Sequence, residues 1–267
     1  MKDLTDRTDL TVLKIGGSII TEKSSPIPKA LPGEIDRIAS EIAGMAVEGA
    51  NKGNLIVVHG AGSFGHPLAR EYRLTEQFDM EGVIETHRSV RILNNIVVDA
   101  LNRAGMPAVP VHPFGSFLLD CGRISEMLTS HIFVMLERGM VPVLHGDVVM
   151  DATRGAAVLS GDQIVPYIAQ KLGAGSIGIA SVTDGVLDDK GHTVPVITPA
   201  SFEKVKIHIG GSSHIDVTGG MLGKVTELVD LADRSGISSR IFNASIPGNV
   251  RAFLDGATPG TLIQKDK

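Results

Sequence analysis

The sequence predicts an α/β protein built on a mainly parallel sheet with antiparallel hairpin additions, and three observations carry that expectation. Short runs rich in Val and Ile alternate with stretches whose apolar residues recur at helical spacing, which is how βα units read. A chain of 267 residues, 43% of them apolar, can bury a large core, as one domain or as two coupled lobes. Two segments, 148–159 and 187–196, break the alternation around the polar turns Asp151-Ala-Thr-Arg-Gly155 and Asp189-Lys-Gly191, and each reads as a hairpin.

The first strand is expected over 10–15 and the second over 55–59. Between them, 33–50 places Ile35, Ile38, Ile42 and Met45 on one helical face, with Gly49 near its stop. Residues 81–104 repeat the pattern with Ile84, Val90, Leu93, Val97 and Leu101, and Gly105 follows as a C-terminal cap. Further strands are expected over 108–111, 141–144 and 176–182, each beside a glycine or polar turn. Helical spacing covers 164–172 and returns in 223–234 and 247–254, before a short strand at 261–263. A division near Gly173-Ala-Gly175 would separate 1–173 from 174–267. Nothing there resembles a free linker, so the halves are expected to form one continuous fold on one sheet.

Composition excludes several function classes. A net charge of −5 gives no broad attraction to nucleic acid or anionic lipid, so any polyanion must be held locally. The single cysteine, Cys121, forms neither an intramolecular disulfide nor a Cys-based zinc site, and reads as a half-buried thiol in a reducing compartment. The N-terminus lacks an apolar core and no stretch is long enough to span a bilayer, which points to the cytoplasm. With 31 glycines, 8 Phe, 2 Tyr and no Trp, the chain suits tight turns around a ligand better than base-stacking platforms.

Four glycine-rich segments follow strands or open helices, where ligands bind in open α/β sheets. Lys14-Ile-Gly-Gly-Ser18 offers backbone N–H groups and a positive charge to a phosphate. His59-Gly-Ala-Gly-Ser-Phe-Gly65 contains G-x-G-x-x-G, yet no strand ending in an acidic residue follows near Asp79 and Glu81, so a dinucleotide fold is disfavoured. His59 and His66 bracket these glycines instead, as donors to an anion. Ser160-Gly-Asp162 opens a helix that Asp162 could simply cap. Asp216-Val-Thr-Gly-Gly-Met-Leu-Gly-Lys224 is not a Walker A loop, because Thr218 and Val225 stand where Gly and Ser or Thr are required. No metalloprotease helix, Cys-based metal motif or nucleophile elbow occurs. His87, His112, His131, His145, His192, His208 and His214 read as core or solvated residues.

In order and spacing, these segments together with Thr183-Asp-Gly185 resemble the amino acid kinase superfamily over nearly the whole chain. Within it, Lys14 to Lys23 and His59-Gly-Ala-Gly-Ser-Phe-Gly-His66 resemble the isopentenyl phosphate kinase family, which converts isopentenyl phosphate and ATP to isopentenyl diphosphate and ADP. The resemblance implies a three-layer αβα sandwich, an acceptor-binding half (1–173), an ATP-binding half (174–267), Mg2+ as cofactor and a homodimer. It implies that Lys14, Ile15, Gly16, Gly17 and Ser18 hold the ATP phosphates, with Lys23 beside the group in flight. Lys224, Gly219 and Gly223 would hold nucleotide phosphates from the other half, Asp162 would orient Lys14, and Thr183, Asp184 and Gly185 would line the nucleoside pocket. The acceptor phosphate would fall to His59, Gly60, Ala61, Gly62, His66 and Gly161, with Gly62 also near ATP, and catalysis to Lys14, Lys23, His59, Asp162 and Lys224. No residue is assigned as a metal ligand.

Physical chemistry fits that reading. A phosphate monoester has a second pKa of about 6 and is largely a dianion near neutral pH, so as an acceptor it needs no general base. Asp147, after His145-Gly146, could nonetheless be a carboxylate in the site. A five-carbon tail needs an apolar pocket, for which Phe78, Met80, Val83 and Ile84 lie close in sequence to the phosphate anchors, Phe78 and Ile84 foremost. Val83 and Ile84 fit core packing of the long helix equally well. Two alternatives stay open: the same fold acting on a phosphonate, carbamate or nucleoside monophosphate, and a nucleotide-binding storage or regulatory protein without turnover.

Overall fold

The computed structural model describes residues 7–22, 25, 27–45, 54–209 and 220–266. Strand β1 (Arg7–Ile15) leads through a single turn, α1 (Gly17–Ile20), to helix α2 (Pro32–Met45), strand β2 (Leu55–His59), α3 (His66–Glu71) and the long α4 (Met80–Arg103). Next come β3 (Ala108–Pro110), β4 (Phe117–Asp120), β5 (Arg123–Met127), α5 (Ser130–Glu137), β6 (Val141–His145), β7 (Asp147–Asp151) and β8 (Gly155–Leu159). The remainder is α6 (Gly161–Leu172), β9 (Ala174–Ser181), β10 (Val196–Ile197), α7 (Pro199–Ile209), α8 (Gly220–Ser235), β11 (Ser239–Asn243), α9 (Asn249–Leu254) and β12 (Thr261–Ile263).

An eight-stranded sheet runs β10-β12-β11-β9-β1-β2-β6-β3, parallel except where β12 meets β11. Because β9 pairs directly with β1, the chain on both sides of residue 173 shares this sheet. Alternation along β1 builds the layers. Leu10 and Val12 face a core shared with Ile164 and Ile168 of α6 and Leu228 and Ala232 of α8. Leu13 and Ile15 face the opposite core, shared with Ile35, Ile38 and Ile42 of α2 and Leu93 and Val97 of α4. The result is the expected three-layer αβα sandwich. A second, four-stranded sheet, β5-β4-β7-β8, adds Phe117, Leu119, Val149 and Leu159 to the first core.

Several expectations change in detail. The hairpin at 148–159 forms as β7 and β8, whereas 187–196 reduces to one bridge, Leu187 to Thr193, tied by Asp188, whose carboxylate accepts from the Lys190 and His192 N–H groups. Cys121 is exposed, because it and Gly122 form the tight β4–β5 turn with φ of 51° and 79°, and a turn tip is not a core position. Asp79 caps α4 by accepting from Gly82 N at 2.7 Å, and Gly105 follows the helix with φ 90°. Gly49 lies outside the described residues.

Candidate active site

Four adjacent strands end at one edge, and their last peptides bond sideways into the turns that follow. Gly16 N donates to Ala180 O at 3.0 Å, Gly60 N to Ile15 O at 2.9 Å, and Gly146 N to His59 O at 2.9 Å. This staircase of glycines sits at the carboxyl ends of β9, β1, β2 and β6, where open α/β sheets bind ligands. The turns touch so closely that only glycine fits: a Cβ on Gly17 would lie 2.6 Å from Gly62 N, and one on Gly60 would lie 2.6 Å from Gly17 N. Gly62 also has φ 53°. Thr21 ties the two turns together, its hydroxyl donating to Gly17 O at 2.7 Å and accepting from Ser63 N at 3.0 Å. Sequence reasoning gave neither residue this role: Ser63 is an unspecified position inside the second glycine turn, and Thr21 follows the first without a motif of its own.

Above these turns lies an open cleft of about 870 Å3, the solvent at its mouth included. Its floor is Gly16, Gly17, Ser18, Gly60, Ala61 and Gly62, and its walls carry Lys14, His66, Asp162 and Lys224, with Gly161 at the start of α6 and Gly220 at the start of α8. Lys14 shares a strand face with Leu10 and Val12, toward α6, so its ammonium meets Asp162 Oδ1 at 3.0 Å. A Cβ on Gly161 would stand 3.0 Å from Lys14 Cε, so glycine there leaves room for the lysine to pass. Burial alone would push the Asp162 carboxyl up, but Lys14, with Lys224 and His66 adding, holds it below the ordinary carboxylate value. Asp162 is the second residue of α6, engaged with a lysine, and Ser160 occupies the cap position.

Asp147 also reaches the cleft, but both its oxygens are engaged: Oδ2 lies 2.8 Å from His87 Nδ1, and Oδ1 accepts from Val148 N at 2.8 Å. Burial raises its pKa, and the His87 hydrogen bond works against that rise. The far wall is more apolar, with Ala69 of α3, Val90 of α4 and Val158 of β8, next to Thr86.

His59 is not brought to the cleft. It shares a strand face with Leu55 and Val57, toward α4, and is fully buried there, Nδ1 donating to Gly60 O at 3.0 Å and Nε2 accepting from Asn94 Nδ2 at 3.0 Å. Ile15 buries its side chain in the core and offers only its carbonyl, to Gly60 N. Thr183, Asp184 and Gly185 follow β9 outside the cleft walls, where Thr183 Oγ1 donates to Gly185 O at 2.9 Å and Asp184 accepts from Asn243 Nδ2 at 2.9 Å. Gly223 lies in the first turn of α8, one residue before Lys224. Phe78 and Ile84 are 50% and 49% exposed and do not line the cleft. The Phe78 ring instead covers Gly155 at the β7–β8 turn, and Val83 packs with Ala69, Leu74, Val148 and Ala156. Lys23 and Gly219 lie outside the described residues. Among the described residues, no group of three His, Cys, Asp or Glu side chains could hold a metal ion.

The family model for the amino acid kinase family matches residues 9–243. The chain is similar to the isopentenyl phosphate kinase of Methanothermobacter thermautotrophicus, 39% identical over 95% of this chain and 98% of that protein. It is similar also to that of Methanocaldococcus jannaschii, 37% identical over 95% and 98%. A crystal structure of isopentenyl phosphate kinase superposes with a TM-score of 0.80 at 36% identity, covering 95% of this chain and all of that one. A family model matching most of its length and relatives this near leave one conclusion: the chain belongs to the amino acid kinase family, in its isopentenyl phosphate kinase branch.

Proposed function

We propose that the protein transfers the γ-phosphoryl group of ATP to the phosphate of isopentenyl phosphate, giving isopentenyl diphosphate and ADP. The observation that carries this is the state of the two carboxylates at the cleft: Asp162 is bound to Lys14 and Asp147 to His87, so neither is free to deprotonate a hydroxyl acceptor. A phosphate acceptor is already a dianion and needs only charge and positioning.

In this reading an acceptor oxygen attacks the γ-phosphorus while the bond to the β–γ bridging oxygen breaks, and ADP leaves with that electron pair. Lys14, held by Asp162, and Lys224 neutralise charge on the phosphates, and the N–H groups of Gly16, Gly17 and Ser18 bind the nucleotide oxygens. The stabilising role beside the transferring phosphoryl group is assigned to Lys23 from the family resemblance alone. Gly60, Ala61, Gly62, Gly161 and His66 take the acceptor phosphate, and Thr183, Asp184 and Gly185 face the nucleoside. Mg2+, carried on the ATP phosphates, would supply charge neutralisation there, which suits a cleft whose own carboxylates, Asp162 and Asp147, are engaged. Residues 1–173 serve the acceptor, with the turn after β1 reaching across to the ATP phosphates, and 174–267 serve the nucleotide, across one sheet. The working unit is a cytoplasmic homodimer, for which exposed Phe78, Met80 and Ile84 around the start of α4 supply apolar surface.

The test is phosphorus NMR with ATP, Mg2+ and a panel of acceptors: isopentenyl, dimethylallyl and geranyl phosphates, a phosphonate, carbamate and a nucleoside monophosphate. Diphosphate resonances from the five-carbon phosphates are expected. A nucleoside monophosphate turned over faster than all prenyl phosphates overturns the acceptor assignment, and nucleotide binding without turnover supports a storage role.

A further inference from the structure

Four histidines lie together behind the glycine turns, and the chemistry above uses none of them directly. A carbonyl oxygen only accepts a hydrogen bond, which fixes their tautomers in sequence. His59 Nδ1 donates to Gly60 O, so its Nε2 is unprotonated and accepts from Asn94. His145 repeats the arrangement one strand over: Nδ1 donates to Gly146 O at 3.1 Å, and Nε2 accepts from His112 Nδ1 at 3.1 Å. His87 completes the group with its Nδ1 on Asp147. His59 and His145 are register partners on β2 and β6, and their rings stack with centroids 5.6 Å apart and planes 22° from parallel. Burial keeps both neutral, pushing His59 down to about 4 and His145 well below the ordinary value, where His59 and His112 add to the effect.

Each of these rings holds the carbonyl of the glycine that follows it. In a trans peptide the N–H points away from the C=O, so with the Gly60 carbonyl drawn back to His59 the Ala61 N–H turns toward the cleft that Ala61 lines. Gly146, drawn back by His145, packs directly beside it: a Cβ on Gly146 would lie 3.5 Å from Ala61 N and 3.6 Å from Gly161 N. We propose that His59 and His145 are a matched pair of positioning residues, which fix the Gly60–Ala61 and Gly146 peptides so that the Ala61 and Gly161 N–H groups converge on the acceptor phosphate. Neither ring touches the substrate. The pair explains why a histidine ends each of two adjacent strands that are otherwise wholly apolar, apart from Pro142.

This rests on the acceptor assignment above, and its test separates the two. Asparagine places an amide N–H near the position of imidazole Nδ1, whereas leucine fills the space without a donor. His59→Leu and His145→Leu are expected to raise the acceptor KM about tenfold or more with ATP KM little changed, and His59→Asn and His145→Asn to recover most of that loss. Equal effects of Leu and Asn, or an ATP KM that moves as far as the acceptor KM, overturn the proposal. Should the Leu variants fail to fold, the wild-type protein still decides it. Nitrogen-15 spectra must show the Nδ1–H tautomer for both rings, and inorganic phosphate must shift the Ala61 and Gly161 amide resonances. An Nε2–H tautomer, or unmoved amides, refutes it. If isopentenyl phosphate is not a substrate, the spectra still test the histidine pair alone.

Discussion

Acidification from pH 7 to pH 4 should destabilise this protein partly through His59. The ring is neutral in the fold, with its pKa pushed from 6.5 to about 4 by burial, against the opposing pull of the Gly60 carbonyl. Between those values the unfolded chain binds a proton that the folded one refuses, so stability falls as pH falls, by about 3 kcal/mol for the whole interval. His145 shifts in the same direction and adds to the loss. Asp147 opposes it, because its raised pKa lets the folded protein take a proton before the unfolded chain does. Asp162, lowered in the fold, loses its contribution only below the ordinary carboxylate value of 3.8, outside most of this window. Guanidinium denaturation of wild type and His59→Asn at both pH values isolates the His59 share. The variant should lose about 3 kcal/mol less than wild type between them. Identical losses, or a His59 ring that titrates near 6.5 in the folded protein, would refute the reasoning.

Lys14→Met strands the buried Asp162 charge and should cost about 3 to 5 kcal/mol of stability together with activity; Lys14→Met with Asp162→Asn should restore the stability but not turnover, read by denaturation and by phosphorus NMR. Gly62→Ala puts a Cβ onto Thr21 at φ 53° and should weaken acceptor binding and stability together, while Gly191→Ala, also at positive φ but facing open space, should cost only its backbone strain. Lys23→Ala should lower kcat by about 100-fold with ATP affinity retained, and unchanged turnover would remove Lys23 from the chemistry. Val158→Ala or Val90→Ala should improve kcat/KM for geranyl phosphate relative to isopentenyl phosphate, and Phe78→Ala and Ile84→Ala should not; the reverse would return the tail to the surface around the start of α4.

What could be read from sequence follows from how each feature is encoded. Lys14, the glycine turns and Asp162 are local: a strand, then residues that only a close backbone approach requires, so their place at the sheet edge is legible in one dimension. Whether a side chain at a strand end looks into the cleft or behind it is not. Strands β2 and β6 are buried on both faces and present no polar residue before their terminal histidine, so neither alternation nor hydropathy says which helix layer His59 meets. Its partner Asn94 lies 35 residues away on α4, and its stacking partner His145 is set by the β2–β6 register. The exposure of Phe78 and Ile84, away from the cleft, has a related cause. Nearness in sequence to His66 carries them to the start of α4, but Asp79 caps the helix there, so Val83 turns inward while Phe78 and Ile84 face solvent, and it is Val90, two turns further on, that lines the cleft. A helix rises about 1.5 Å per residue, so the seven residues from Val83 to Val90 carry the chain roughly two turns along α4 before an apolar side chain of this face lines the cleft.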